Sequence, residues 1–441
     1  MAHSVRHDVF AAVPSLILNS LQTLRKAAQL IGRYMTVHLG SANIGRILAL
    51  AFNVINLPNR MIGPRMRLHK ILVLSSLLLT ATLSQAESGV TATTITLGQS
   101  AAFSGPAREL GKGMYDGAQA YFDQVNASGG VFGRKIVLKT LDDGYEPVRA
   151  AANTKQFIEQ DDVLALFGYV GTPTSNASIP AISKAKIPFF APFTGAQSLR
   201  EPFNRSIFNI RASYFAETEK IVQQITTLKL NRIAVFYQND AYGKAGLEGV
   251  TRALKKRNIE VVGLGTVERN SVDVADAVAK IRQSKPQTVI VVSAYNSSAA
   301  FIKAMIAAGS PPSFWNISFV GSQQLVNALG KDASGVQIAQ VMPAPWDEVN
   351  GIVKEYRKYY LQNGKREWDY VSMEGFIAAK VFVEGLKRAG SSLTRDSLVR
   401  ALETINHYDV GGYFVTFTPT NHNGSEFVDL TMISRNGRFL H

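Results

Sequence analysis

From Thr93 onward, short apolar runs alternate with stretches in which apolar residues recur every three or four positions. TITLGQ (94–99) reads as a strand and is followed by a helix over about 111–126. The segment ASGGVFG (127–133) is turn chemistry, because its glycines admit positive φ. KIVLKTL (135–141) predicts the next strand, and a helix over about 147–159 opens with Pro147 in its first turn. VLALFG (163–168), a helix through Ala185, IPFFA (187–191) and IFNIR (207–211) continue the series.

The alternation then restarts. Ile221, Val222, Ile225 and Leu228 share one helical face, and RIAVFY (232–237), VVGLGTV (261–267), TVIVVS (288–293) and ISFVG (317–321) read as strands. Helices are expected between them near 243–256, 274–284 and 297–308. Farther on, EGFIAAKVFVEGLKRAG (374–390) is an amphipathic helix. Strands that are apolar throughout and alternate with helices predict an α/β fold whose parallel sheets are covered on both faces. The restart near residue 212 predicts two sheets, hence two lobes.

Residues 66–86, MRLHKILVLSSLLLTATLSQA, carry Arg67 and Lys70 before an apolar run from Ile71 to Leu83, and end in Ser84-Gln85-Ala86. This is the pattern of a secretory signal peptide cleaved before Glu87. The thirteen residues of this run at about 1.5 Å each reach roughly 20 Å, short of a bilayer core of about 30 Å. The preceding segment, 1–65, is read as a non-native or unstructured leader, with Met61 and Met66 as alternative starts. There is no cysteine, which excludes disulfides, thiolate metal sites, a cysteine nucleophile and a lipidated Cys at the cleavage point. A non-lipidated protein of the periplasm is the expectation.

Net charge is +14, but nine Lys or Arg against one acid in 1–70 supply +8 of it. The remainder is scattered without runs or aromatic interleaving, so no nucleic-acid partner is expected.

In open parallel sheets ligands bind beyond the carboxyl ends of strands. Three Gly-rich polar loops lie there: SAAFSGPARELGKG (100–113), GYVGTPTSNAS (168–178) and APFTGAQS (191–198). Ser104, Thr172 and Thr174 offer hydroxyls, while Gly105, Gly171 and Gly195 let backbone N–H groups approach a ligand. Such N–H groups and helix N-termini favour a carboxylate, although Ser and Thr there also serve as plain N-caps. Tyr242 and Tyr295 sit at equivalent strand exits of the second half, where two aromatics could enclose an apolar ligand body. The chain shows no dinucleotide fingerprint, P-loop, H-E-x-x-H or G-x-S-x-G. Asp142-Asp143 before Gly144 reads as a turn cap before it reads as a metal site. We therefore expect no enzyme, metal or cofactor.

The segments SGPARELGKGMYDGAQAYFDQVNASGGVFGRKI, FGYVGTPTSNASIP, APFTGA, NDAYGKAG and FVGSQQ occur in an order that resembles the branched-chain amino-acid (leucine/isoleucine/valine) binding proteins of ABC transporters. The resemblance covers about 345 residues, from Thr93 to the C-terminus, and implies the type I periplasmic binding fold. It implies a lobe formed by 91–212 and 345–426, a second formed by 213–344 and 427–441, and three crossings between them. It also implies a monomer that captures a small molecule by closing and delivers it to a membrane permease. A soluble sensing subunit of the same fold is the alternative.

Carried over by position, a ligand carboxylate would meet Thr172 and the backbone from Phe193 through Thr194 to Gly195, with Ser104 nearby. Tyr242 and Tyr295 match ligand-contacting tyrosines. Three positions depart from the family pattern. Gln323 stands where an acid meets the ligand ammonium, Ala216 beside Glu217 stands at a second acidic position, and Leu110 replaces an aromatic cover. These departures point to an aromatic or aliphatic acid, or an amide, in preference to a zwitterion.

Overall fold

The computed structural model describes residues 87–364 and 367–441, so the leader and signal peptide expected in 1–86 lie outside the described residues. Two main sheets organise the chain. The first has the order β2-β1-β3-β4-β5. Its members are β1 (Thr94–Ala101), β2 (Lys135–Asp142), β3 (Ala165–Phe167), β4 (Phe189–Phe190) and β5 (Ile207–Phe208). All four of its pairings are parallel. β3 and β4 are wholly buried, as strands covered by helices on both faces must be, whereas edge strand β2 leaves Val137 exposed.

The second sheet contains β6 (Ile233–Gln238), β7 (Val261–Val267), β8 (Thr288–Val292), β9 (Ser313–Asn316) and β10 (Gln337–Gln340), all parallel. The short pair β11 (Tyr408–Asp409) and β12 (Phe414–Val415) stands apart, and the chain then returns. β13 (Asp429–Ile433) pairs antiparallel with β10, and β14 (Phe439–Leu440) with β13. The order is β14-β13-β10-β9-β8-β6-β7.

Three passages of chain join the sheets. The first follows β5, the second follows β10, and the third lies beyond Asn423, which bridges to Asn209 before β13 begins. Between the last two passages the chain makes the helices Gly351–Gln362, Tyr370–Ala389 and Arg395–Leu402. The helix expected over 374–390 is thus Tyr370–Ala389, started by Asp369, whose side chain accepts from Ser372 N. Its Phe382 meets Phe167 and Phe190 of the first sheet edge-on, at 5.8 and 5.2 Å between centroids. The helix Arg108–Ala127 crosses it at very short range: a Cβ on Gly117 would lie 1.8 Å from Ser372 O, and one on Gly375 2.3 Å from Met114 O. Only glycine permits that approach.

One expected strand is corrected. ISFVG (317–321) is not a strand; β9 lies just before it, at Ser313–Asn316, and Ser318–Val320 is a single 3₁₀ turn. Ser318 is captured by Glu217, which accepts from its N–H at 2.7 Å and its hydroxyl at 3.0 Å, and this ends the extended run.

Candidate functional site

The carboxyl ends of both sheets face one another, and the loops that leave them build a buried aromatic cluster. Tyr145 and Phe193 come from the first-sheet side. Tyr214, Tyr242 and Phe319 come from segments that run into the second. Phe319 stands in the middle, with ring centroids 4.4 Å from Tyr242, 5.4 Å from Phe193 and 6.0 Å from Tyr145. Tyr214 and Tyr242 are 5.6 Å apart. Burial, the largest influence on each, pushes the phenols of Tyr145 and Tyr242 well above their ordinary range and that of Tyr214 up to about 12. All three are neutral hydroxyls at physiological pH.

Polar groups border these rings. Thr172 begins the helix Thr172–Ala185, and its Oγ1 lies 2.6 Å from Thr194 Oγ1. Thr194 Oγ1 in turn donates to the Tyr214 hydroxyl at 3.1 Å, and Gly195 O accepts from Tyr214 N at 2.7 Å. Pro173 in the first turn has no N–H, so the amides of Thr172 and Thr174 are the donors at this helix end. Gln238 Nε2 donates to the Tyr145 hydroxyl at 3.3 Å. The buried Tyr242 OH, Ser175 Oγ and Gln238 Oε1 have no partner among the described residues.

Leu110 and Tyr295 meet at one side of this space. A Cβ on Gly321 (φ 78°) would lie 2.7 Å from Leu110 Cδ2 and 3.5 Å from Tyr295 Cδ1, so glycine there serves both backbone conformation and space. Gln324 Oε1 borders the same glycine, and its Nε2 lies 3.4 Å from Asp369 Oδ2.

Of the residues singled out from sequence, Leu110, Thr172, Phe193, Thr194, Gly195, Tyr242 and Tyr295 thus stand around the junction. Ser104 and Gln323 do not. Ser104 is exposed and belongs to a turn, its N and Oγ donating to Asp142 at 3.1 and 2.6 Å. Burial tends to raise the Asp142 pKa, but donors on Ser104, Phe103, Gly144 and Arg149 outweigh it and hold the carboxyl below the ordinary range. Gln323 donates along its own helix to Asn327 at 3.0 Å. One residue further is about 100° of helix rotation, so Gln324 turns inward instead. Thr174, the additional hydroxyl, donates to Gly171 O at 3.0 Å within its own turn.

Behind the cluster lies a charge network that sequence reasoning missed. Arg211 is wholly buried with its guanidinium 4.5 Å from the Phe193 ring centroid. It donates to Ser318 Oγ, and its Nε is 3.6 Å from Glu374 Oε1. Burial raises both Glu217 and Glu374, the latter up to about 7, although Arg211 opposes the rise in each. The available signal was the charge ending the apolar run IFNIR.

Polar contacts also join the rims. Arg269 Nη2 meets Glu146 Oε2 at 2.8 Å, while Asn270 Nδ2 donates to Glu146 Oε1 at 2.9 Å and to Gly144 O at 3.2 Å. Asn296 Nδ2 donates to Pro106 O at 2.9 Å. These contacts close one lobe onto the other.

Two lobes built on mainly parallel sheets, three connecting passages and an aromatic and hydroxyl-lined junction define a solute-binding protein of the clamshell type. The profile of the periplasmic binding proteins matches residues 94–438, and the chain belongs to that family. It is similar to Leu/Ile/Val-binding protein homolog 7 of Brucella abortus, 25% identical over 315 residues, which cover 67% of this chain and 77% of that relative. A possible leucine/isoleucine/valine-binding protein of Rhodopirellula baltica superposes with a TM-score of 0.77 at 33% identity, covering 79% of this chain and 97% of that one. A substrate-binding periplasmic protein of Ralstonia solanacearum gives 0.75 at 30% identity, covering 78% and 99%. The relatives are binding proteins, and this chain, of the Leu/Ile/Val-binding type, is not an enzyme. Among the described residues no helix is long and apolar enough to cross a membrane.

Proposed function

We propose that this protein is the periplasmic substrate-binding component of an ABC uptake transporter. It captures a small amino acid, or a related carboxylate or amide, between its lobes and presents the closed form to a permease. The observation that carries the reading is the junction itself, where Thr172, Thr194 and the 193–195 backbone lie beside Tyr242, Phe319 and Tyr145. The lobe boundaries adopted are 91–212 with 345–426, and 213–344 with 427–441. Sheet membership supports them, since strands of the first sheet fall within 94–208 and those of the second within 233–340 and 429–440.

Within this class a ligand without an ammonium group fits best. Glu217 is occupied by Ser318 and faces Arg211, Glu374 faces Arg211, and Gln323 turns to Asn327. An ammonium buried without a free carboxylate costs several kcal/mol. A carboxylate needs only N–H and hydroxyl donors, which the helix start at Thr172 and the Thr194–Tyr214 pair supply.

The test is a thermal-stability screen of the purified protein against leucine, valine, aromatic acids, short fatty acids and amides. Ligand at a hundredfold over Kd should add about 2.7 kcal/mol. Stabilisation by acids lacking an amine, together with loss of their uptake on gene deletion, is the expected result. Tight leucine binding would overturn the ligand preference. Intact uptake with an altered transcriptional response would overturn the transport role.

A further inference from the structure

The turn that leaves β2 carries three consecutive residues of the first lobe that meet the second. Gly144 O accepts from Asn270 at 3.2 Å, the Tyr145 hydroxyl accepts from Gln238 Nε2 at 3.3 Å, and Glu146 meets Arg269 at 2.8 Å. Tyr145, in the middle, is wholly buried, and its Cε2 lies 2.2 Å from where a Cβ on Gly171 would stand. Its φ is 64°, in the left-handed region that residues with a side chain rarely occupy. Such a backbone persists only where its surroundings over-determine it.

Two adjacent carboxylates restrain this turn, and they divide the task. Asp142, partly exposed, accepts from the amides of Phe103, Ser104 and Gly144 and so caps the turn. Asp143 is wholly buried; its Oδ2 accepts from the Ser100 hydroxyl at 2.7 Å and its Oδ1 from the Tyr145 amide at 2.8 Å. Its own N–H donates to Ala101 O at 3.0 Å, so the carboxylate is anchored on β1 before it reaches Tyr145. A buried charge is costly, and the turn already has its cap. What the second charge adds is a charge-assisted bond to the amide of the one side-chain-bearing residue of this turn whose φ is positive.

We propose that Asp143 is the positioning residue for lobe closure. Its ionised carboxylate fixes the Tyr145 amide and so presents Gly144 O, the Tyr145 ring and the Glu146 carboxylate to the second lobe in one preset arrangement. It touches no captured molecule and acts through Tyr145. The proposal rests on closure of the junction as the capturing step, because a turn set in advance need not be ordered while the lobes close. Burial, opposed by Ser100 and the Tyr145 amide, pushes the Asp143 carboxyl up to about 6. The charged groups that bear on it are Asp142 on its own turn and Arg149 of the helix Pro147–Glu159, itself bound to Asp142 at 2.8 Å. Burial keeps the phenol of Tyr169, which follows β3, neutral. Since the ionised form favours closure, closure weakens as pH falls through about 6.

The chain has no cysteine, so Ala152→Cys and Ala279→Cys, both at exposed positions, place one spin label on each lobe. Distances between the labels, measured on the purified protein with nothing added, read the closed and open populations. The closed-to-open ratio should drop by up to about fivefold between about pH 7.5 and 5, the difference between a charge-assisted and a neutral hydrogen bond. Asp143→Asn keeps an oxygen for the Tyr145 amide but carries no charge, and should show the low-pH ratio throughout. Glu146→Gln weakens the rim directly and should lower the ratio while keeping the pH step. A wild-type ratio that ignores pH, a step that survives in Asp143→Asn, or a step abolished by Glu146→Gln would each overturn the proposal. Should Asp143→Asn fail to fold, the other two proteins still decide. With no compound present, the result is independent of what the junction captures.

Discussion

Arg211 shows how much one residue can organise. Its guanidinium faces Glu374, Ser318 and the Phe193 ring, and Glu217 beside it holds the Ser318 turn. Arg211→Ala leaves two buried carboxylates without their cation and should cost about 3–5 kcal/mol, read as a lowered urea midpoint. The pH dependence follows from Glu374. Its folded pKa, raised by burial to about 7, lies above the ordinary carboxyl value. The folded state therefore holds this proton more tightly than the unfolded chain does, and that stability is lost as pH rises from about 4.5 through 7. Glu374→Gln removes the titration, so the variant should gain on the wild type between pH 5 and 8, by up to about 3 kcal/mol. A constant difference across that range would count against this account.

At the level of elements, the turn Ser318–Val320 is the clearest departure from the hydrophobic pattern. ISFVG has the composition of a strand, yet β9 precedes it and Phe319 projects among rings from both halves. Local propensity could not foresee this, because the capture of Ser318 by Glu217 is a contact across 101 residues. Phe319→Ala should cost about 3–5 kcal/mol and reorder ligand preference toward bulkier compounds, measured by denaturation and by the same ligand screen. The rim contacts make a different prediction. Glu146→Gln weakens the links to Arg269 and Asn270, which are partly exposed and so contribute only about 1 kcal/mol. Calorimetry should show every ligand weakened by a similar factor of a few, with their ranking unchanged. A changed ranking would place Glu146 in the ligand site itself.

For the whole molecule, the three passages between sheets and the polar rim describe a closed arrangement whose opening needs no unfolding of either sheet. A ligand held between the lobes must favour this arrangement by its differential affinity. X-ray scattering of the purified protein should therefore show a smaller radius of gyration once a stabilising compound is added. No change would mean that the free protein is already closed.

The periodicity of apolar residues by itself determined the alternation of strand and helix and the restart that makes two sheets, because burying an apolar strand on both faces needs only local pattern. It also put the loops that hold Thr172, Phe193, Thr194 and Tyr242 at strand exits, and there Thr172 touches Thr194 while Phe319 lies between Phe193 and Tyr242. Tertiary structure decided the rest: which face of the helix Ser322–Leu329 turns inward, so that Gln324 and not Gln323 borders Gly321, and where Ser104 spends its hydrogen bonds. It also decided that Arg211 and Phe319 would be buried together with Tyr145 and Tyr214. These outcomes depend on partners dozens to hundreds of residues away, and no local pattern records the free energy of a contact whose other half lies elsewhere in the chain.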